Sequence, residues 1–299
     1  MNILITGVGG QLGTELKRAF ITGKTELGKI PSAYADANVL YCEKNALDIT
    51  DLSAVKAIIK DNAIDLIFNC AAFTNVDACE TQQELAFAVN AEGPKNLAIA
   101  ASEMGATLVH VSSDYVFSGE GTVPRTEDDP CDPQSVYGHS KFLGERYVLE
   151  ECPKSYVVRS AWVFGYVGKN FVKTILRLAR ENGAITVVDD QLGTPTNAND
   201  LAHELLAIAL TQNYGIYHCT NKGICSWFDF ACAIVDKAGI DCKKTPCTTQ
   251  EFLRPAKRPA FSALDNARLR ATIGDEMRDW RVALDCYLDN LEQKESAIL

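Results

Sequence analysis

Positive charge is in short supply. Lys and Arg number 29 against 39 Asp and Glu, which leaves a formal net charge of −10 and a pI near 5.0. That balance argues against a nucleic-acid track or an anionic membrane as the main partner, because both reward excess positive charge. A small anion needs only a few local donors and is not excluded. No apolar run approaches the roughly 20 residues of a membrane span, so no membrane partner is expected. The 11 cysteines contain no C-x-x-C pair, and the 4 histidines, at 110, 139, 203 and 218, lack ligand spacing. No metal site is therefore expected, and the cysteines read as small buried hydrophobes in a reducing compartment. Internal repeats and low-complexity tracts are missing too. The chain opens Met1-Asn2-Ile3-Leu4-Ile5 without a basic leader, so no signal peptide is expected and the expected location is cytoplasmic.

What is present fits an ordinary globular chain of 299 residues, long enough for about two domains. The first half alternates short β-rich runs, at 2–6, 39–42, 65–70, 107–112 and 156–161, with helical patterns at 10–20, 51–61, 83–104 and 134–151. That alternation predicts an α/β fold with a doubly wound parallel sheet of Rossmann type. Residues 23–37, with Gly, Pro and Ser, read as a surface loop. Beyond 161 the pattern loosens: helices at 170–181, 199–210 and 226–238 and a strand at 185–188. We expect a nucleotide-binding domain over 1–161 and a smaller carboxyl-terminal substrate lobe over 162–299, interleaved with the first.

Thr6-Gly7-Val8-Gly9-Gly10-Gln11-Leu12-Gly13 follows the first strand and opens the first helix. Glycines permit a tight turn and close approach of backbone N–H groups to a pyrophosphate, and the helix presents its positive end to that charge. A dinucleotide is expected on Gly7, Gly10, Gln11, Leu12 and Gly13. Glu43, at the end of the second strand, fits the acid that takes ribose hydroxyls, which would favour NADH. An exposed loop acid is an equal reading, and Lys44 beside it suits a phosphate instead, so the cofactor is NADH or NADPH. Asp48 and Ile49 are placed near adenine, and Ala71, Ala72 and Phe73 close the third strand where cofactor must pass.

Ser113 ends the fourth strand, and Tyr137-Gly138-His139-Ser140-Lys141 opens a helix, with Tyr137 and Lys141 at i and i+4 on one face. Carbonyl reduction needs a hydride and then a proton for the alkoxide. A phenol with a pKa near 10 is a sluggish donor at neutral pH unless a neighbouring cation lowers it. Tyr137 is thus expected as proton donor, Lys141 as the cation that tunes it and holds the nicotinamide ribose, and Ser113 as the aim for the carbonyl. Asn90 is read either as a relay or cofactor contact or as an ordinary polar helix residue.

Together these motifs resemble the extended short-chain dehydrogenase/reductase family. Ser113-Asp114-Tyr115-Val116-Phe117, Arg159-Ser160-Ala161-Trp162-Val163-Phe164-Gly165, Asp190-Gln191-Leu192-Gly193-Thr194-Pro195-Thr196 and Arg254-Pro255-Ala256-Lys257-Arg258-Pro259 are similar to segments of its dTDP-4-dehydrorhamnose reductase branch, from Met1 to about 288. The resemblance implies NAD(P)H-dependent reduction of a 4-keto group on a dTDP-sugar. It makes Ser113, Tyr137 and Lys141 catalytic and places Asp114, Tyr115 and Trp162 at the sugar nucleotide. Trp162 offers a stacking surface, with core packing as its alternative. Arg254 and Arg258 offer forks for a diphosphate, with a solvated pair as theirs. Ser113 stands where relatives often carry Thr, which keeps the hydroxyl, and Phe73 replaces a His found in some. A related sugar-nucleotide dehydratase or epimerase is the nearest rival, but dehydratases carry Asp-Glu after the Ser/Thr, and here Tyr115 holds the Glu position. A noncatalytic NAD(P)-binding regulatory subunit is a second rival, disfavoured by the intact Ser, Tyr and Lys. A homodimer is admitted, though nothing in the sequence demands one.

Overall fold

The computed structural model describes residues 1–296. Strands β1 (Asn2–Thr6), β2 (Asn38–Cys42), β3 (Leu66–Asn69), β4 (Thr107–Ser113) and β5 (Ser155–Ser160) join the strand Gly215–His218 in a 6-stranded sheet. The order is β2-β1-β3-β4-β5 and then Gly215–His218, with every neighbouring pair parallel. Because side chains alternate along a strand, Ile3 and Ile5 enter one core with Leu16, Phe68, Val158 and Leu205. Leu4 enters the other, with Val55, Ile67, Leu97 and Val157. The chain runs from β1 to β2 on one side, then crosses to β3 on the other. The crevice at that reversal, at the carboxyl ends of β1 and β3, is where open α/β sheets bind ligands.

The sixth strand went unread in the sequence. It comes from beyond residue 161, as does the helix Ala198–Ile208, whose Leu201, Leu205 and Ile208 fill the same core as β1. A third core, with Phe164, Ile175, Phe230, Ile234 and Trp280, holds the smaller lobe around the helices Phe171–Asn182, Trp227–Lys237 and Trp280–Ser296. There Ala184–Val188 pairs in parallel with Lys243–Cys247.

Two further expectations change. The helix read over 83–104 is broken into Gln83–Phe87, a π-helical turn Ala88–Glu92 and Gly93–Met104. Pro94 cannot donate into a continuous helix, and the wider turn lets buried Asn90 reach sideways. The 23–37 segment is anchored rather than free. Tyr34 is buried and its hydroxyl donates to the Leu206 carbonyl at 2.9 Å, while Glu26 accepts from Tyr166 at 2.6 Å and Arg278 at 2.8 Å.

Candidate active site

Two cavities open on the glycine loop. The larger, about 560 Å³, is lined by Gly10, Gln11, Leu12, Gly13, Ser113, Asp114, Tyr115, Tyr137, Lys141, Trp162 and Arg258, among others. The smaller, about 220 Å³, is lined by Gly7, Gly10, Lys44, Asp48, Ile49, Ala71 and Ala72, among others. Gly10, Cys70 and Ala72 border both, so the two form one groove across the sheet edge.

The loop geometry requires glycine at two points. Gly7 has φ +67°, and a Cβ there would lie 2.7 Å from the Ala71 nitrogen. A Cβ on Gly13 would lie 2.3 Å from the Gly7 carbonyl oxygen. The turn is thus as tight as backbone allows, and it delivers Gly10 as the N-cap of the helix Gln11–Thr22 with the cap's N–H bonded to Gly7. These features fit a dinucleotide pyrophosphate, which asks for unblocked N–H groups at a helix start.

Ser113 ends β4 and Tyr137 starts the helix Val136–Glu151, whose N-cap Ser135 accepts from the Gly138 N–H at 3.1 Å. A Cβ on Gly144 would meet the Asn90 carbonyl at 2.2 Å, so glycine lets this helix press against the π-helical turn. The Ser113 hydroxyl donates to Asp114 Oδ1 at 2.7 Å, while Asp114 Oδ2 is buried without a partner. Burial pushes the Asp114 carboxyl up to about 6, against the Ser113 hydrogen bond that lowers it. Burial also holds the Tyr137 phenol well above its ordinary range, opposed by the Ser113 side chain.

Lys141 is 2% exposed and donates to the Val111 carbonyl at 2.7 Å. Desolvation lowers it to about 8, with Glu145 pulling the other way. The expected lowering of Tyr137 by Lys141 is not found in this state, because burial dominates the phenol and the ammonium is directed at the β4 backbone. The Tyr115 ring meets Tyr137 edge-on at 5.3 Å, and its hydroxyl accepts from Arg258 at 2.9 Å. Arg258 is also paired with Asp77 at 3.0 Å.

Residues 1–293 match the family described as the RmlD substrate binding domain. The protein belongs to that family. It is 41% identical to a dTDP-4-dehydrorhamnose reductase of Streptomyces griseus over 288 residues, covering 94% of this chain and 91% of that protein. A solved dTDP-4-dehydrorhamnose reductase of Clostridium acetobutylicum has a TM-score of 0.92 at 47% identity, over 98% of this chain and 100% of that one. One from Bacillus anthracis, in complex with NADP, has a TM-score of 0.90 at 36% identity, over 97% and 99%.

Within this RmlD-family fold several sequence assignments fall outside the groove. Arg254 is exposed with its guanidinium 4.6 Å from the Phe252 ring, and it lines neither cavity. Phe73 turns its side chain into a cluster with Val76, Cys79, Ala86 and Tyr137. Asn90 is fully buried: it accepts from the Phe73 N–H at 2.8 Å and donates to the Phe73 carbonyl at 3.1 Å and to Ser140 Oγ at 3.1 Å. Every polar atom of its amide is so engaged, and it braces the segment beneath Tyr137 rather than facing ligand. Glu43 is exposed beside Gly9, while its neighbour Lys44 lines the smaller cavity.

Gln11 lines the larger cavity but uses its amide to bridge lobes, donating to the Val163 carbonyl at 3.3 Å and accepting from Asn170 at 3.1 Å. Trp162, at φ +47°, stacks on Trp227 at 3.6 Å and 11°, and both line the larger cavity. Trp227 went unread because an aromatic at the start of an amphipathic helix looks like core.

Proposed function

We propose that this protein reduces the 4-keto group of dTDP-4-dehydro-L-rhamnose to give dTDP-L-rhamnose, using NADH or NADPH. The observation that carries the reading is one groove lined by the glycine loop, Ser113, Tyr137, Lys141 and the stacked Trp162 and Trp227. The glycine loop would hold the cofactor pyrophosphate and Lys141 the nicotinamide ribose. The bound nicotinamide supplies the hydride. Ser113 would hold the sugar carbonyl oxygen, and Tyr137 would give its phenolic proton to that oxygen as it becomes an alkoxide.

Burial keeps the Tyr137 phenol protonated, so the proton is in place before the alkoxide forms. Trp162 would stack on the substrate, with Asp114 and Tyr115 around the sugar. Arg258 would act on the sugar through Tyr115. The domain division belongs to the same proposal: residues 1–161 bind mainly the dinucleotide, and 162–299 mainly the sugar nucleotide. The cytoplasmic location is supported by 11 cysteines that are all free thiols.

Incubation of the purified protein with dTDP-4-dehydro-L-rhamnose and each reduced nicotinamide, followed by absorbance, tests the reading. Rapid cofactor oxidation is expected, with Tyr137→Phe at least about 10²-fold slower. Unchanged turnover in a folded Tyr137→Phe protein would overturn the role of Tyr137. Absence of any oxidation with either cofactor would overturn the reaction.

A further inference from the structure

Resting on the sugar-nucleotide reading above, we infer that Lys169 is the diphosphate-binding cation of the larger cavity, carried on the smaller lobe next to a residue docked on Gln11. Dinucleotide and sugar nucleotide each bring a diphosphate into a chain whose formal net charge is −10, so positive charge must be supplied locally. Among the described residues, the cations lining the larger cavity are Lys141, Lys169 and Arg258, while Lys44 lines the smaller one with Asp48 and Ile49. Lys141 is buried and bonded to the Val111 carbonyl. Arg258 is divided between the Tyr115 hydroxyl and the Asp77 carboxylate, at the Tyr137 end. Arg254 lies outside. Lys169 is exposed and makes no hydrogen bond or ion pair among the described residues.

Its setting aims it. Asn170, the next residue, donates to Gln11 Oε1 at 3.1 Å and to the Gly165 carbonyl at 2.7 Å. The lysine therefore stands on a turn docked to the first residue of the glycine-loop helix. Gly168, on its other side, takes φ +67° and turns the chain into that position. A flexible ammonium with three donors, fixed at its base and free at its tip, suits a diphosphate that arrives with the ligand.

Calorimetric titration of the full-length protein with dTDP and, separately, with NADPH tests this, comparing wild type, Lys169→Ala and Lys169→Arg, with thymidine as the phosphate-free probe. Lys169→Ala should weaken at least one diphosphate ligand about tenfold, with recovery in Lys169→Arg and no change for thymidine. Loss confined to dTDP assigns the lysine to the sugar nucleotide, and loss confined to NADPH assigns it to the cofactor. Unchanged affinity for both, or an equal loss for thymidine and dTDP, would overturn the inference. Should wild type bind NADPH but not dTDP, the sugar-nucleotide reading fails and the NADPH arm alone decides Lys169.

Discussion

Replacing Lys141 by Met should make the apoprotein more stable while disabling it. The side chain is 2% exposed and its single hydrogen bond goes to the Val111 carbonyl at 2.7 Å. Burial brings its pKa from an ordinary 10.5 to about 8. At about 1.4 kcal/mol per pH unit, the ammonium is about 3 kcal/mol less favourable in the folded chain than in the unfolded one. Losing the Val111 hydrogen bond offsets about 1 kcal/mol, so Lys141→Met should gain about 2 kcal/mol at pH 7.

The sign with pH is fixed. Below about 8 both states hold the proton and the penalty is complete. Between about 8 and 10.5 the unfolded chain binds more protons, so wild type gains stability as pH rises and the advantage of Met shrinks. The groups around Lys141 cancel in the comparison, because in the folded chain none of them changes charge between about pH 8 and 10.5 and in the unfolded chain they titrate alike in both proteins. Cys70 is pushed up to about 12, His110 lies well below its ordinary range, and Glu145 is paired with Arg159. Urea unfolding of both apoproteins at about pH 7 and about pH 10 measures the difference. A Met variant less stable than wild type at neutral pH, or a gap identical at both pH values, would refute the reasoning. Turnover should fall at least about 10²-fold in either case.

Gly13→Ala should lose measurable NADPH binding in calorimetry, because its Cβ would sit 2.3 Å from the Gly7 carbonyl; retained affinity would show that the loop can relax. Arg258→Ala should lower kcat about tenfold or more by releasing Tyr115, and Arg258→Lys should not restore it, since an ammonium gathers its donors at one nitrogen and lacks the rigid fork whose two nitrogens reach the Tyr115 hydroxyl and Asp77 separately. Steady-state kinetics with the dTDP-sugar checks both variants, and full activity in Arg258→Lys would remove the fork from the argument.

The first five strands were legible because a parallel sheet covered on both faces needs uninterrupted apolar runs, and Ile3-Leu4-Ile5 and Leu66-Ile67-Phe68 supply them. The sixth was not, because Gly215–His218 is four residues long and its pairing with β5 is decided by tertiary context. The Tyr137/Lys141 pair could be placed on one face from its spacing alone. What spacing could not show was burial, which raises the Tyr137 phenol where a neighbouring cation was expected to lower it. Asn90 and Arg254 illustrate the same limit from opposite sides. One polar residue is engaged internally by a π-helical turn, and one guanidinium is occupied by an exposed ring.

The Gln11 amide bridges the glycine loop, on one side, and the Val163 carbonyl and the Asn170 side chain, on the other. A ligand that settles the loop also settles the segment that faces the second ligand. Coupling of this kind is reciprocal: by whatever factor the nicotinamide dinucleotide tightens the sugar-nucleotide site, the sugar nucleotide tightens the dinucleotide site. Whatever coupling that amide carries enters both affinities by the same factor.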